Sequence, residues 1–410
     1  MLKTLQKLVY SPKNRFLLFD ESQNNLFLHY AIPLIQSGIS VGAISTSIIK
    51  SLKPNVQKTT IDGVYLATHD VPNPSILCFS SGTKNNQKGI VRTFESWQNS
   101  FALIQDEITA FPDVKAIVLG ALPYSLTLFG AMESLQRGQH PLVFPTHELR
   151  YFAQLQSNQN YILWVTPLHC AFFIKALDKK HMHPIETIRY VFVGGAQFSN
   201  RKRDALQNVF PNAEIYSFYG ASETSFITIK HPNDNSKSVG TICKGVQVAI
   251  LDKQQQNCSK NVVGTIWINS KDVFDSYFYK AHKLNRLDNF ISINDRGFID
   301  AQNRLFFAGR AERHISISGH IIDLNAVEIW YKEALATETL AILAKPNELK
   351  EYELFLLTSK QLSKSDWQSL KSSAYDTLGA QGVPKKWLHC DTWPLLANGK
   401  TDIKTLEKWL

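Results

Sequence analysis

Between residues 75 and 193 short apolar runs recur, each followed by a polar loop and then a stretch with helical apolar spacing. Ile76 to Phe79, Lys115 to Leu119, Pro141 to Phe144, Tyr161 to Val165 and Tyr190 to Val193 read as strands. Phe94 to Phe111 and the stretch from Leu126 to Arg137 read as helices between them, and an earlier pair, Arg15 to Phe19 and Leu26 to Ser37, reads as strand then helix. Repeated β-loop-α units predict an α/β fold: a large amino-terminal domain of mostly parallel sheets flanked by helices.

From about Val239 the texture changes. Val246 to Leu251, Gly264 to Ile268, Phe290 to Ile293, Phe298 to Asp300 and Leu305 to Phe307 are short strands split by turn residues, the pattern of a β meander or small barrel. After Gly309-Arg310 come a hairpin-like stretch, a helix near Asn325 to Leu335, a strand at Glu353 to Thr358 and a helix near Ser363 to Leu378. That ending predicts a small α+β domain, and the boundary is placed at residue 310, giving domains 1–310 and 311–410.

The 410 residues suffice for two or three well-buried cores, and 44% hydrophobic with 19% charged content is that of a globular chain. A net charge of +9 invites an anionic partner, but the basic residues are scattered and no nucleic-acid motif is present. Small anionic substrates are therefore expected, and no nucleic acid. Cys78, Cys170, Cys243, Cys258 and Cys390 form no C-x-x-C pair, which implies reduced thiols and neither a disulfide frame nor a zinc site. The first residues lack a signal-peptide core and no window is long and apolar enough to span a bilayer, so a cytoplasmic location is expected.

Residues 77 to 91, Leu-Cys-Phe-Ser-Ser-Gly-Thr-Lys-Asn-Asn-Gln-Lys-Gly-Ile-Val, have the composition of a phosphate cradle. Ser80, Ser81 and Thr83 offer hydroxyls, Gly82 and Gly89 permit close backbone approach, and Lys88 brings a mobile cation. The order is not that of a Walker loop, and an ordinary turn has the same ingredients. Val193-Gly194-Gly195-Ala196 leaves room for something flat against the backbone, or is a tight turn. In Phe218-Tyr219-Gly220-Ala221-Ser222-Glu223-Thr224 a carboxylate beside a hydroxyl suits Mg²⁺ near phosphates, or is a solvated loop. Asp295 can pair with ribose hydroxyls or cap a turn, and Lys400 follows a Gly turn near the carboxyl end, where a solvated tail residue is the plain reading.

In order, these segments resemble the adenylate-forming (AMP-binding) superfamily of acyl-CoA and aryl-CoA synthetases, peptide-synthetase adenylation domains and luciferases. The family's Thr-Ser-Gly-Thr-Thr-Gly-x-Pro-Lys-Gly appears as Ser80 to Gly89, its Tyr-Gly-x-Thr-Glu as Tyr219 to Glu223, and its Thr-Gly-Asp as Ile293 to Asp295. Its Gly-Arg-x-Asp hinge appears as Gly309 to Glu312 and its Asn-Gly-Lys as Asn398 to Lys400.

The resemblance implies ATP-dependent conversion of a carboxylic acid to an acyl-adenylate with pyrophosphate release, then transfer to a thiol. Catalysis would be mainly charge neutralisation and alignment. By that likeness Ser80, Ser81, Gly82, Thr83 and Lys88 hold the β- and γ-phosphates, Glu223 meets Mg²⁺ and Ser222 touches the α-phosphate. Gly194, Gly195 and Ala196 line the adenine, Tyr219 with Gly220 stacks on it, and Asp295 and Arg310 fix the ribose. Lys400 bridges carboxylate and α-phosphate, and Glu312 is the hinge of a mobile carboxyl-terminal domain.

Asn85 and Gln87 depart from the family's glycine and proline, and the segment ahead of the loop is shortened, so a homo-oligomer covering a bare sheet edge is carried as a hypothesis. Ser125 stands where many members have histidine, a variant resembling o-succinylbenzoyl-CoA synthetases. Trp164, Val193 and Phe218 would line an acyl pocket for an apolar or aromatic acid, or be plain core. The expected acceptor is coenzyme A. A free-standing enzyme loading an acyl carrier protein is the alternative, and an inactive nucleotide-binding scaffold is the alternative of another class.

Overall fold

A computed structural model describes every residue except 10–14, 53–55, 70, 71, 73, 81–87, 147, 279–283, 311–312, 318–319, 348–351 and 397–399. The front of the chain holds more structure than its sequence pattern shows. After α1 (Leu2–Leu8) come β1 (Arg15–Phe19), α2 (Asn24–Gln36), β2 (Ser40–Ala43), α3 (Thr46–Leu52), β3 (Val56–Lys58) and β4 (Val64–Thr68). β1 is legible because Phe16 to Phe19 are all buried. β2 to β4 are short and mix Gly, Ser, Gln and Lys into the run, so no period marks them. β5 (Ser75–Phe79) and β6 (Gly89–Thr93) then pair antiparallel as a hairpin around residues 80–88.

Thr93 caps α4 (Phe94–Glu107) by accepting from the Ser96 amide. The helix stops short of the expected Phe111. Pro112 disfavours helical backbone at the residue before it, and the Ile108 amide closes the last turn on Ile104. The parallel sheet follows: β7 (Lys115–Leu119), α5 (Ser125–Gln136), β8 (Leu142–Phe144), β9 (Tyr161–Val165), α6 (Pro167–Asp178), β10 (Ile188–Val193), α7 (Asn200–Gln207) and β11 (Glu214–Ala221). Its strands run β8-β7-β9-β10-β11, all parallel, and β12 (Ser225–Lys230) and β13 (Gly240–Ile242) extend it antiparallel. Ile117, Leu163, Val165, Val191, Phe173 and Phe210 form its core.

β14 (Gln247–Leu251), β15 (Gly264–Asn269) and β16 (Ser276–Phe278) come next, and β16 returns to the first sheet, whose seven strands run β16-β6-β5-β2-β1-β4-β3. That sheet is mixed, since only β1-β2 and β2-β5 are parallel pairs.

The chain packs into two compact units: Met1–Val248 with Ile268–Leu284, and Ala249–Trp267 with Asn285–Leu396 and Lys400–Leu410. Residues 249–267 and 285–310, read from sequence as a meander of the large domain, thus pack with the carboxyl-terminal residues. In this second unit β17 (Asn285–Leu287), β18 (Phe290–Ser292), β19 (Asp295–Ile299) and β20 (Arg304–Arg310) form the meander β17-β18-β15-β19-β20. A hairpin, β21 (His314–Ile317) and β22 (His320–Asp323), precedes α8 (Leu324–Leu335), β23 (Leu340–Pro346), β24 (Tyr352–Thr358), α9 (Lys364–Leu378), β25 (Lys386–His389) and α10 (Ile403–Glu407). Val327, Tyr331, Ile342, Leu356 and Trp367 give these elements a core of their own.

Candidate functional site

The β5-β6 hairpin closes on itself at its mouth: the Ser80 amide donates to the Lys88 carbonyl at 2.9 Å, and the Lys88 amide to Ser80 Oγ at 3.1 Å. Ser81, Gly82 and Thr83 lie outside the described residues. The Phe79 amide donates to the Pro123 carbonyl at 2.8 Å, which holds the base of the loop against the start of α5. Ser125, the first residue of α5, has its hydroxyl 2.6 Å from Ser222 Oγ and 3.2 Å from Cys78 Sγ. Burial, opposed by the Ser125 contact, pushes the Cys78 thiol up to about 11, so it is an unionised neighbour and not a nucleophile at neutral pH.

The motif around Tyr219 lies largely within β11, and only Ser222 to Thr224 form the turn into β12. A bulge at Gly220 allows this: a Cβ there would stand 2.0 Å from the Ser225 carbonyl oxygen. The turn carries Glu223, only 8% exposed, whose backbone carbonyl accepts from the Phe274 amide at 2.8 Å. The Tyr277 hydroxyl donates to Glu223 Oε1 at 3.0 Å, and Lys88 Nζ stands 3.8 Å from the same oxygen and 5.1 Å from the centre of the Tyr277 ring. β16 pairs with β6 so that Tyr277 faces Ile90, which is how a residue 54 positions from Glu223 reaches it. Ser80, Lys88, Ser125, Ser222 and Glu223 are therefore gathered in the first unit.

Behind them the buried Arg92 guanidinium donates to Ser96 Oγ, to the Ser96 carbonyl and to Ser100 Oγ, and Ser100 donates in turn to buried Asp272 at 3.0 Å. Burial lowers Arg92 to about 10 and raises Asp272. The Asp275 amide donates to Val91, so this network braces β6 against the segment that leads to Tyr277.

Gly194 follows β10 with no room for a side chain, because a Cβ would stand 2.1 Å from Phe218 Cζ. The flat group resting on that backbone is Phe218 itself. Gly195, at φ +87°, and Ala196 are exposed, and Tyr219 is half-buried. Val193 and Trp164 are buried core residues, each 1% exposed.

In the second unit Asp295 and Arg310 face each other across β19-β20, with Arg310 Nε 3.1 Å from Asp295 Oδ1. Asp295 is 2% exposed and the Arg310 side chain 59%. The Lys400 carbonyl accepts from the Leu396 amide at 2.8 Å. Glu312, Asn398 and Gly399 lie outside the described residues.

Sequence reading missed Tyr277, Arg92 and Asp272. Tyr277 sits in no motif, and only its strand's pairing with the strand that follows Lys88 reveals it.

The family model of AMP-binding enzymes matches residues 41–278. The uncharacterized acyl-CoA ligase YhfT of Bacillus subtilis (strain 168) is 24% identical over 349 residues, covering 84% of this chain and 70% of YhfT. Bacitracin synthase 1 of Bacillus licheniformis is 19% identical over 355 residues, covering 82% of this chain but only 7% of that protein. The solved o-succinylbenzoate coenzyme A synthetase MenE from Bacillus subtilis, in complex with ATP and magnesium ion, superposes with a TM-score of 0.65 at 18% identity, covering 99% of this chain and 81% of MenE. That likeness is one of fold.

Proposed function

Because the chain belongs to the family of AMP-binding enzymes, we propose that it is an acid–thiol ligase. It activates a carboxylic acid with ATP, releases pyrophosphate and passes the acyl group to coenzyme A. The observation that carries this reading is the meeting of Ser80, Lys88, Ser125, Ser222 and Glu223, five polar groups from three separate segments.

A carboxylate attacking a phosphate must overcome like charge, so the site's task is to supply opposite charge and fixed donors. Lys88 neutralises the β- and γ-phosphates, with Ser80, Ser81, Gly82 and Thr83 of the same loop. Ser222, paired with Ser125, donates to the α-phosphate. Glu223 offers one largely buried carboxylate, which fits a Mg²⁺ that takes few protein ligands and completes its shell with phosphate oxygens. When bound, that ion neutralises phosphate charge. Tyr277 holds the Glu223 carboxylate at one oxygen and leaves the other for the ion.

The Phe218 ring already covers the Gly194 backbone, so Gly195, Ala196, Tyr219 and Gly220 receive the adenine, and Asp295 with Arg310 receives the ribose. Lys400 supplies the cation for adenylate formation, and Glu312, at the proposed domain boundary near residue 310, is the hinge between half-reactions. These roles are supported by the family's motifs at these positions.

A second reading, loading of an acyl carrier protein, is favoured by the similarity to a segment of bacitracin synthase 1. The net charge of +9 suits an acidic carrier and the phosphates of coenzyme A alike. Incubation with ATP, Mg²⁺ and a panel of alkyl, aryl and amino acids, followed by mass spectrometry of products, separates the readings. A coenzyme A thioester supports the proposal. Adenylate that transfers only to a carrier supports the second, and ATP binding without adenylate from any acid refutes both in favour of a scaffold.

A further inference from the structure

We infer that Asp272, acting through Ser100 and Ser225, positions the Glu223 carboxylate, and that Arg92 holds this chain of hydroxyls in place. The inference rests on the Mg-ATP role proposed above for Glu223. Ser225, the first residue of β12, follows Glu223 by two positions, so what fixes Ser225 fixes the backbone that carries Glu223. Its φ is +58°, in the left-handed region that a serine enters only at a cost. Such a conformation persists where the surroundings impose it.

The group that holds it is the buried Ser100 hydroxyl of α4, 2.6 Å from Ser225 Oγ. A hydroxyl has one proton to give and two lone pairs to receive with. Ser100 Oγ lies 3.2 Å from Arg92 Nη2, which can only donate, and 3.0 Å from Asp272 Oδ2, whose carboxylate accepts. The Ser96 carbonyl, also 3.0 Å from Ser100 Oγ, already accepts from Arg92 at 3.0 Å. The Ser100 proton therefore goes to the charged acceptor, and Ser225 donates to Ser100. The direction of both bonds is set by the Asp272 charge at the end of the chain, with the Arg92 guanidinium as its countercharge.

The segment that carries Asp272 reaches the same turn twice more. The Phe274 amide donates to the Glu223 carbonyl at 2.8 Å, and the Tyr277 hydroxyl donates to Glu223 Oε1 at 3.0 Å. Residues 272 to 277 thus grip the turn at the Glu223 carbonyl, at its carboxylate and, through Ser100, two residues further on. Asp272 acts on the carboxylate through the backbone and is a positioning residue.

Titration calorimetry of ATP with and without Mg²⁺ tests this in the wild type, Ser225→Gly, Asp272→Asn and the double variant. Glycine adopts φ +58° freely, so Ser225→Gly removes the hydroxyl without straining the turn and should melt close to the wild type. Each single variant should weaken Mg-ATP binding by about tenfold and metal-free ATP binding far less. The double variant should bind no worse than the weaker single, because both changes break one chain. Unchanged Mg-ATP affinity in Ser225→Gly, equal losses with and without Mg²⁺, or additive losses in the double variant overturn the inference. Should Asp272→Asn not fold, Ser225→Gly alone decides. The expected affinities in a protein that exchanges pyrophosphate with no acid overturn the function and leave the inference standing. A wild-type protein that binds no ATP overturns both.

Discussion

Tyr277 shows what a single hydroxyl contributes. Its hydrogen bond fixes Glu223 Oε1, and its ring lies under Lys88 Nζ, so one side chain positions both members of the opposite-charge pair. A hydrogen bond to a charged group is worth about 1.5 to 3 kcal/mol. Tyr277→Phe keeps the ring and removes only the hydroxyl, so the KM for Mg-ATP should rise by about tenfold or more, with thermal stability little changed. Steady-state kinetics at saturating acid, with a melting curve, reads both. Lys88, Glu223 and Ser222 were legible in the sequence because each sits in a local motif. Tyr277 was not, because its role arises from β16 pairing with β6, a long-range event without local pattern.

At the scale of the element, two glycines with crowded Cβ positions separate movable from immovable neighbours. At Gly194 the obstacle is the Phe218 ring, a side chain that can swing away; at Gly220 it is the Ser225 backbone carbonyl, fixed by the β11-β12 hairpin. Gly194→Ala should cost about 1 to 3 kcal/mol, the usual penalty for overpacking, and Gly194→Ala with Phe218→Ala should recover part of it. Gly220→Ala should cost more and should not be relieved by Phe218→Ala. Urea unfolding of the four variants measures this. The strands of the parallel sheet were legible because buried on both faces they read as continuous apolar runs, as Tyr161 to Val165 does. β2 to β4 were not, being three to five residues long without periodic burial. The Arg92–Ser100–Asp272 network escaped for a similar reason: Ser100 and Asp272 are 172 positions apart, and a serine in a helix announces nothing.

In the whole molecule, charge is used differently in the two units. In the second, Glu328 accepts from Arg313 at 2.9 Å and from Lys332 at 2.7 Å, tying α8 to the residue after the proposed hinge. Burial works to raise the Glu328 carboxyl, but Lys332 and Arg313 together outweigh it and hold it below its ordinary 4.5. A depressed carboxylate contributes stability that is present above pH 4.5 and lost as pH falls through its folded value. Glu328→Gln should remove that acid-dependent part and lower stability at neutral pH by about 3 kcal/mol, since it leaves two cations without their anion. Melting curves from pH 3 to 7 would show it as a flattened acid limb. The small α+β pattern after Gly309-Arg310 was legible as a separate ending, but the membership of the two units was not, because the meander that begins near Val239 carries no linker to mark which side it packs on.

On the function proposed above, the Lys88–Glu223 centre makes an acyl-adenylate. Acid-dependent ATP–pyrophosphate exchange in the wild type and in Glu223→Gln, at matched Mg²⁺, tests it most directly. Exchange that requires both acid and Mg²⁺, and that falls by about a hundredfold in a Glu223→Gln protein with an unaltered melting curve, is predicted. Undiminished exchange in Glu223→Gln, or none in a wild-type protein that binds ATP, would contradict it.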